Sequence, residues 1–273
     1  MPKSASDKRH FYIAGVLVIV VAAMMDWLLK RALPLPAPAS VEAGTIDQLF
    51  GWHMTLIAIL FALVMVFMVY AIVVFRKREG DESEGEHFEG NTTLEIAWTA
   101  IPLVLVVIFM VIGIRTLNTV THTEENEVVI KAIGKQWAWQ FVYPNGTTST
   151  EELVLPVGRR VQMRMWSNDV LHAFWIPELR VKQDILPVAE GDKVFAPNEE
   201  PAHPTVVRFT PTMTNAEILA RDAREPRLVC AELCGNGHYN MFVPVRLVPE
   251  AEFIAWMDSQ LAQQKPQVAS AGK

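Results

Sequence analysis

Residues 230–241 read Cys-Ala-Glu-Leu-Cys-Gly-Asn-Gly-His-Tyr-Asn-Met, so Cys230, Cys234, His238 and Met241 fall within twelve positions. Two thiols, an imidazole and a thioether are soft or borderline donors, and together they point to copper. Cys230 and Cys234 are the only cysteines among 273 residues, so no third thiol assists them. A copper site for electron transfer needs soft ligands that are rigidly held and shielded from water, which a loop between two strands provides. A mononuclear site takes one Cys, two His and a weak Met. Two cysteines four positions apart favour a pair of metals bridged by both sulfurs. Each copper then needs one imidazole and one weaker ligand, for which Met241 and a main-chain carbonyl are at hand.

That count requires a second histidine from outside the stretch. His172 is the strongest candidate, because it lies in the polar-then-aromatic run Asn168-Asp-Val-Leu-His-Ala-Phe-Trp-Ile-Pro177, while His122 and His203 have simpler surroundings. A disulfide between the two cysteines is the main rival in an oxidising compartment. It leaves His238 and Met241 unexplained and closes a very short loop. Zinc is the other rival, and Met is a poor zinc ligand.

Working outward, 51% of the chain is apolar, which is high for a soluble protein. The apolar residues gather in three runs, Phe11 to Leu29, Trp52 to Phe75 and Ile96 to Ile114. The second carries no charge and as a helix reaches ~36 Å, enough to cross a bilayer. The third is also uncharged, with Pro102 expected in its first turns, where a missing amide costs least. Arg76-Lys77-Arg78 closes the second run and marks the cytoplasmic side, so everything after Arg115 is expected outside. The first run has two readings. Lys3, Lys8 and Arg9 before it and Ala37-Pro38-Ala39 before Ser40 suit a secretory signal, whereas its length suits a further span. The expected organisation is a signal peptide or extra transmembrane helix over 1–39 and a hairpin over 40–120, with spans near 52–75 and 96–114. An exported domain over 121–264 and a disordered tail over 265–273 complete it. A net charge of −6 argues against a nucleic-acid surface and favours a basic partner.

From Glu127 onward, short segments rich in Val, Ile, Phe and Trp alternate with Pro, Gly and Asn, which are strand signals. Strands are expected near Val128 to Ile133, Gln136 to Tyr143, Arg160 to Trp166, Thr205 to Thr210, Arg227 to Cys230 and Met241 to Val248. Val161, Met163 and Met165 alternate with Gln162 and Arg164, the period of a half-buried strand. These strands imply a small sandwich or barrel, so the fold class is membrane-anchored α+β. After Pro249, Phe253, Trp256, Met257 and Leu261 share one face of a helix. Arg76 to Asn91 reads as a charged, solvated linker.

With these residues in view, the chain resembles subunit II of the haem-copper cytochrome c oxidases over most of residues 50–264. The Cys-Ala-Glu-Leu-Cys-Gly-x-x-His-x-x-Met run resembles the family's signature for a dinuclear copper centre, and Asp169 to Pro177 its partner loop. The resemblance implies a cupredoxin-like extracytoplasmic domain whose copper ligands are His172, Cys230, Cys234, His238, Met241 and the carbonyl of Glu232. It implies that the Glu232 side chain binds a magnesium ion shared with the catalytic subunit I, and that Trp137, in Gly134 to Tyr143, receives the electron from cytochrome c. Glu95, in Glu95 to Pro102, resembles the mouth of a proton-uptake path, although a carboxylate there also suits the helix dipole. Further oxidase subunits, membrane lipid, and cytochrome c or another small basic donor are the implied partners. A prokaryotic-type plasma membrane is the implied location.

The chain departs from the family pattern in two places. Lys182-Gln-Asp-Ile-Leu-Pro-Val188 lacks the usual turn glycine, and Thr214 to Arg227 is an insertion of helical character over Asn215 to Arg224. Both are expected near the docking face, which leaves the donor open. No Cys-x-x-Cys-His is present, so no c-type haem is fused to the chain. The alternatives are a membrane-anchored copper chaperone and a quinol-oxidase subunit that keeps the fold without the copper. The intact ligand set argues against both.

Overall fold

Long stretches without a charge leave a helix no polar face, and three such helices lead the chain: α1 (Ala5–Ala32), α2 (Val41–Val74) and α3 (Thr92–Thr121). The computed structural model describes residues 5–80, 82, 89–188, 195–196 and 199–270. Among these, the three helices are each long and apolar enough to cross a membrane. All run past the apolar stretches that announce them, because Ser40 caps α2 by accepting from the Ala43 amide, and Asn91 caps α3 by accepting from the Leu94 amide. Pro102 therefore sits in the interior of α3 rather than its first turns. There it leaves one backbone carbonyl without its usual donor. Residues 81 and 83–88 of the charged linker expected over residues 76–91 lie outside the described residues.

The chain divides into two compact units. One comprises Met1–Pro34 and Asp47–Arg115, the other Leu35–Ile46 and Thr116–Lys273. In the first, Asp26 on α1 accepts from both Lys30 Nζ (2.7 Å) and Thr55 Oγ1 (2.8 Å), and His10 meets Tyr70 Oη at 2.7 Å.

Among the described residues the second unit holds ten strands: β1 (Val128–Lys135), β2 (Ala138–Val142), β3 (Thr148–Ser149), β4 (Leu153–Val157), β5 (Val161–Ser167), β6 (His172–Ile176), β7 (Val181–Ile185), β8 (Thr205–Phe209), β9 (Arg227–Cys230) and β10 (Phe242–Pro249). They form two five-stranded sheets, β3-β2-β1-β5-β8 and β4-β10-β9-β6-β7. One core unites them, with Ile130, Trp139 and Met163 from one sheet and Leu155, Phe174 and Leu247 from the other. Each such side chain contributes about 1.5–3 kcal/mol on burial. The expected sandwich is present, and Val161, Met163 and Met165 are fully buried on the face that their alternation marks.

Helix α4 (Asn215–Leu219) is shorter than the Asn215 to Arg224 pattern suggests. Thr214 and Glu217 close a reciprocal capping box at its start. Asn215 ties it to β10 by donating to the Val245 carbonyl (2.9 Å) and accepting from the Leu247 amide (2.7 Å). Helix α5 (Glu250–Ser270) covers the sandwich with Phe253, Trp256 and Met257. It continues past Lys265, where disorder is expected from the sequence. Gln, Ala and Lys near that point favour helix, so the pattern carries on despite Pro266.

The segment at residues 35–46, which spans the expected boundary at 39/40, belongs to the second unit and is built into the sandwich. Ala39 is fully buried, its amide donates to the Glu178 carbonyl (2.8 Å) and its carbonyl accepts from the Thr212 amide (2.8 Å). Ser40 Oγ donates to the Leu179 carbonyl (2.8 Å), the Val41 amide to that of Thr210 (3.0 Å), and Arg180 to the Pro36 carbonyl (2.6 Å). Cleavage after Ala39 would sever this strap and release buried Ala39 from the core. Intact-mass analysis of the purified protein is expected to find residues 36–39 still attached, and a mature chain starting at Ser40 would contradict that expectation.

Candidate metal centre

β9 delivers Cys230 at its end, and its neighbour β6 begins at His172. The register pairs Phe174 with Cys230, so His172 lies two positions further on, beside the loop that follows β9. That loop is closed at its base by the Cys230 amide donating to the Met241 carbonyl (3.0 Å), and the Ala231 amide ties it to Ala173 (3.2 Å). A single 3-10 turn over His238–Asn240 brings the chain back, with the Met241 amide bonded to the His238 carbonyl (3.2 Å). In such a turn, residues three apart eclipse one another, so a His-x-x-Met spacing delivers both side chains to one side.

The result is a closed cluster. Cys230 Sγ and Cys234 Sγ are 3.8 Å apart, His172 Nδ1 is 3.8 Å from Cys230, and His238 Nδ1 is 3.6 Å from Cys234. Met241 Sδ lies 3.8 Å from Cys234 Sγ, and the Glu232 carbonyl oxygen 3.3 Å from Cys230 Sγ. His172, Cys230 and Cys234 offer ligand atoms that all lie within 4.8 Å of one another. The cysteines are not joined as a disulfide, and both are buried. Two sulfurs at the centre, an imidazole on each, and a thioether and a carbonyl at the flanks fit a pair of soft metal ions.

Burial opposes ionisation of Cys230, but hydrogen bonds from His172 and nearby backbone outweigh it and bring the thiol down to about 6. Burial and then the neighbouring Cys230 push Cys234 up to about 11. One thiolate is therefore at hand near neutral pH, while the second needs a bound cation to hold its charge.

Asp169, which the sequence showed only as part of the partner loop, fixes His172. Its carboxylate accepts from His172 Nε2 (2.9 Å), from the Gln136 amide (2.5 Å) and from the Val170 amide (2.6 Å). With Nε2 engaged, Nδ1 is left facing Cys230, the arrangement that orients a metal-binding imidazole. Burial works against the Asp169 charge, yet the Gln136 amide and His172 hold the carboxyl below its ordinary value. Burial likewise works against a charged His172, but Cys230 and Asp169 raise its pKa overall. The signal was an aspartate three positions before the candidate histidine.

Trp137 lies over the cysteine loop, its indole N–H donating to the Cys234 carbonyl (3.0 Å), which also accepts from Gln136 Nε2 (2.8 Å). The indole is 43% exposed, so it bridges solvent and the site. The Glu232 side chain is half-buried. Glu95 sits apart, in α3, where it accepts from the Asn91 amide (3.2 Å) as a cap. His122 pairs with Glu124 (3.0 Å), and His203 is exposed in its loop. The insertion is remote only at its start: α4 bonds to Val245 and Leu247, about 10–17 Å along β10 from the cysteine loop, whereas its last residue, Arg227, opens β9, which ends at Cys230.

These features define a membrane-anchored protein with an extracytoplasmic sandwich carrying a buried thiol-imidazole site. Residues 28–118 match the family described as cytochrome c oxidase subunit II, transmembrane domain, and residues 148–200 match its periplasmic domain. Cytochrome c oxidase subunit 2 of a Synechocystis species is 29% identical over 84% of this chain and 75% of its own length. The Thermostichus vulcanus protein of the same name is 26% identical over 89% of this chain and 82% of its own. The periplasmic domain of subunit II of cytochrome oxidase from Bradyrhizobium japonicum, a solved structure, is 24% identical with a TM-score of 0.41, covering 52% of this chain and 99% of that one. The chain belongs to the cytochrome c oxidase subunit II family. It is an electron-transfer subunit of a terminal oxidase, an oxidoreductase, with its C-terminal domain outside the cytoplasm. The cysteine loop lies beyond both matched segments.

Proposed function

We propose that the exported domain accepts electrons singly from a soluble donor and passes them to haem in a separate catalytic subunit, where oxygen is reduced to water with proton translocation. His172, Cys230, Cys234, His238, Met241 and the Glu232 carbonyl would hold a dinuclear copper centre. The observation that carries this reading is the closed pair of thiols, with one imidazole on each. When bound, the copper pair would supply a store for one electron at a time.

The residues do the rest. Cys230 and Cys234 would give up their protons on loading, Asp169 holds the His172 ring in place, and burial shields the site on all but the partly exposed His238 side. His172 is fully buried, Met241 1% exposed and Cys234 2% exposed. So closed a site does not suit a copper chaperone, which must exchange its metal, and a complete soft donor set does not suit a quinol-type subunit without copper. Trp137 would be the point of electron uptake, a reading supported by its exposure and its hydrogen bond to the Cys234 carbonyl. Glu232 would share a magnesium ion with subunit I. Glu95, exposed at the start of α3, would accept protons on the cytoplasmic face of a prokaryotic-type plasma membrane. Other oxidase subunits and lipid would surround the helices. A cytochrome c or another small basic protein suits the acidic chain as donor.

The full-length protein, loaded with copper in detergent, is expected to take one electron per copper pair from reduced cytochrome c. Metal-free protein is expected to take none. Equal uptake by the two forms would refute the relay.

A further inference from the structure

Two glycines of the copper loop face the Gln136–Trp137 pair, and they are glycine for different reasons. Gly235 has φ +107°, a conformation that side chains rarely adopt. Gly237 has φ −92°, open to any residue, so its own backbone makes no demand for glycine. What a side chain there would meet is the indole: a Cβ at 237 would lie 2.4 Å from Trp137 Cδ2, 2.6 Å from Cγ and 2.8 Å from Cε3. These atoms are at the root of a rigid ring rather than at the tip of a flexible chain, and the ring cannot yield without moving as a whole. The indole is also held by its N–H bond to the Cys234 carbonyl, at 3.0 Å.

We infer that Gly237 is a positioning residue for electron uptake: its bare Cα is the bed on which the Trp137 ring lies, keeping the indole N–H bonded to the carbonyl of a bridging cysteine. The inference rests on the relay reading above. The step it serves moves one electron, with the donor oxidised by one and the copper pair reduced by one. Through this contact, the exposed indole joins the backbone of Cys234 by a single hydrogen bond. No signal for it was legible in the sequence, because Trp137 and Gly237 lie far apart in the chain.

The test uses full-length, copper-loaded protein carrying Gly237→Ala, with Trp137→Leu as its companion. Gly237→Ala is expected to keep the copper spin signal and its uptake from a hexaammineruthenium(II) salt, while uptake from reduced cytochrome c slows by about tenfold or more. Indole nitrogen NMR is expected to show the Trp137 N–H, identified by its loss in Trp137→Leu, exchanging faster with solvent in Gly237→Ala. Wild-type uptake in Gly237→Ala with slowed uptake in Trp137→Leu overturns the role of Gly237 and leaves the relay intact. Wild-type uptake in both refutes Trp137 as the uptake point, and the inference falls with it. If Gly237→Ala binds copper poorly, the double variant decides. Restored binding on removal of the indole supports the collision, and binding still lost overturns it by assigning Gly237 to the loop itself.

Discussion

Cys230→Ser is expected to abolish the paired copper site while leaving the sandwich folded. Serine has the shape of cysteine, so the core around position 230, which is 8% exposed, loses little packing. The chemistry changes completely. The Cys230 thiol, at about 6, supplies the thiolate that is ready at neutral pH, and a serine hydroxyl supplies none. What remains is Cys234, whose burial still opposes ionisation, with no second sulfur 3.8 Å away. Copper content should fall to half or less of the wild-type value with far-ultraviolet circular dichroism unchanged. Retention of a full copper pair would contradict the ligand assignment.

The second large effect is expected far from the metal, at Arg160. Its guanidinium, with 2% of the side chain exposed, meets Glu42 (2.5 Å), whose side chain is 5% exposed. It also donates to the carbonyls of Val120 (3.0 Å) and His122 (2.8 Å), while the other Glu42 oxygen accepts from the Thr210 amide (2.8 Å). Arg160→Leu strands a buried carboxylate and two carbonyls, which costs about 3–5 kcal/mol. Thermal unfolding of the detergent-solubilised protein should move down by roughly 10 °C. A shift of less than about 2 °C would show that the pair is dispensable. The same contact explains why a soluble fragment starting near residue 121 is expected to fold poorly. Glu42 and the strap at 36–41 belong to the domain, although the rest of α2 and most of α3 separate them from it in sequence.

What was legible follows from which interactions are local. Uncharged runs announce membrane helices whatever surrounds them, and the spacing of Cys230, Cys234, His238 and Met241 reflects one strand end and one 3-10 turn. β5 was readable because over Val161 to Met165 only one face is buried. β6 and β4 were not. His172–Ile176 is buried on both faces apart from Trp175, and Leu153–Val157 is apolar throughout, with a Pro156 that β4 tolerates as an edge strand. Neither shows the period of two. The strap at 36–41, the Arg160–Glu42 pair and the Trp137–Gly237 contact join distant residues, and a single sequence carries no trace of such pairings. The insertion at 214–227 is legible only in part: its end, Arg227, opens β9 just before Cys230 as its place in the chain suggests, whereas nothing in the sequence shows that its capped helix bonds to β10 away from that loop.

The central claim is that both thiols serve one copper pair. Electron spin resonance of the full-length protein, loaded with copper and oxidised under control, tests it most directly. A hyperfine pattern from one electron shared equally by two copper nuclei is expected. A pattern from a single copper nucleus, or no signal at all, would contradict it.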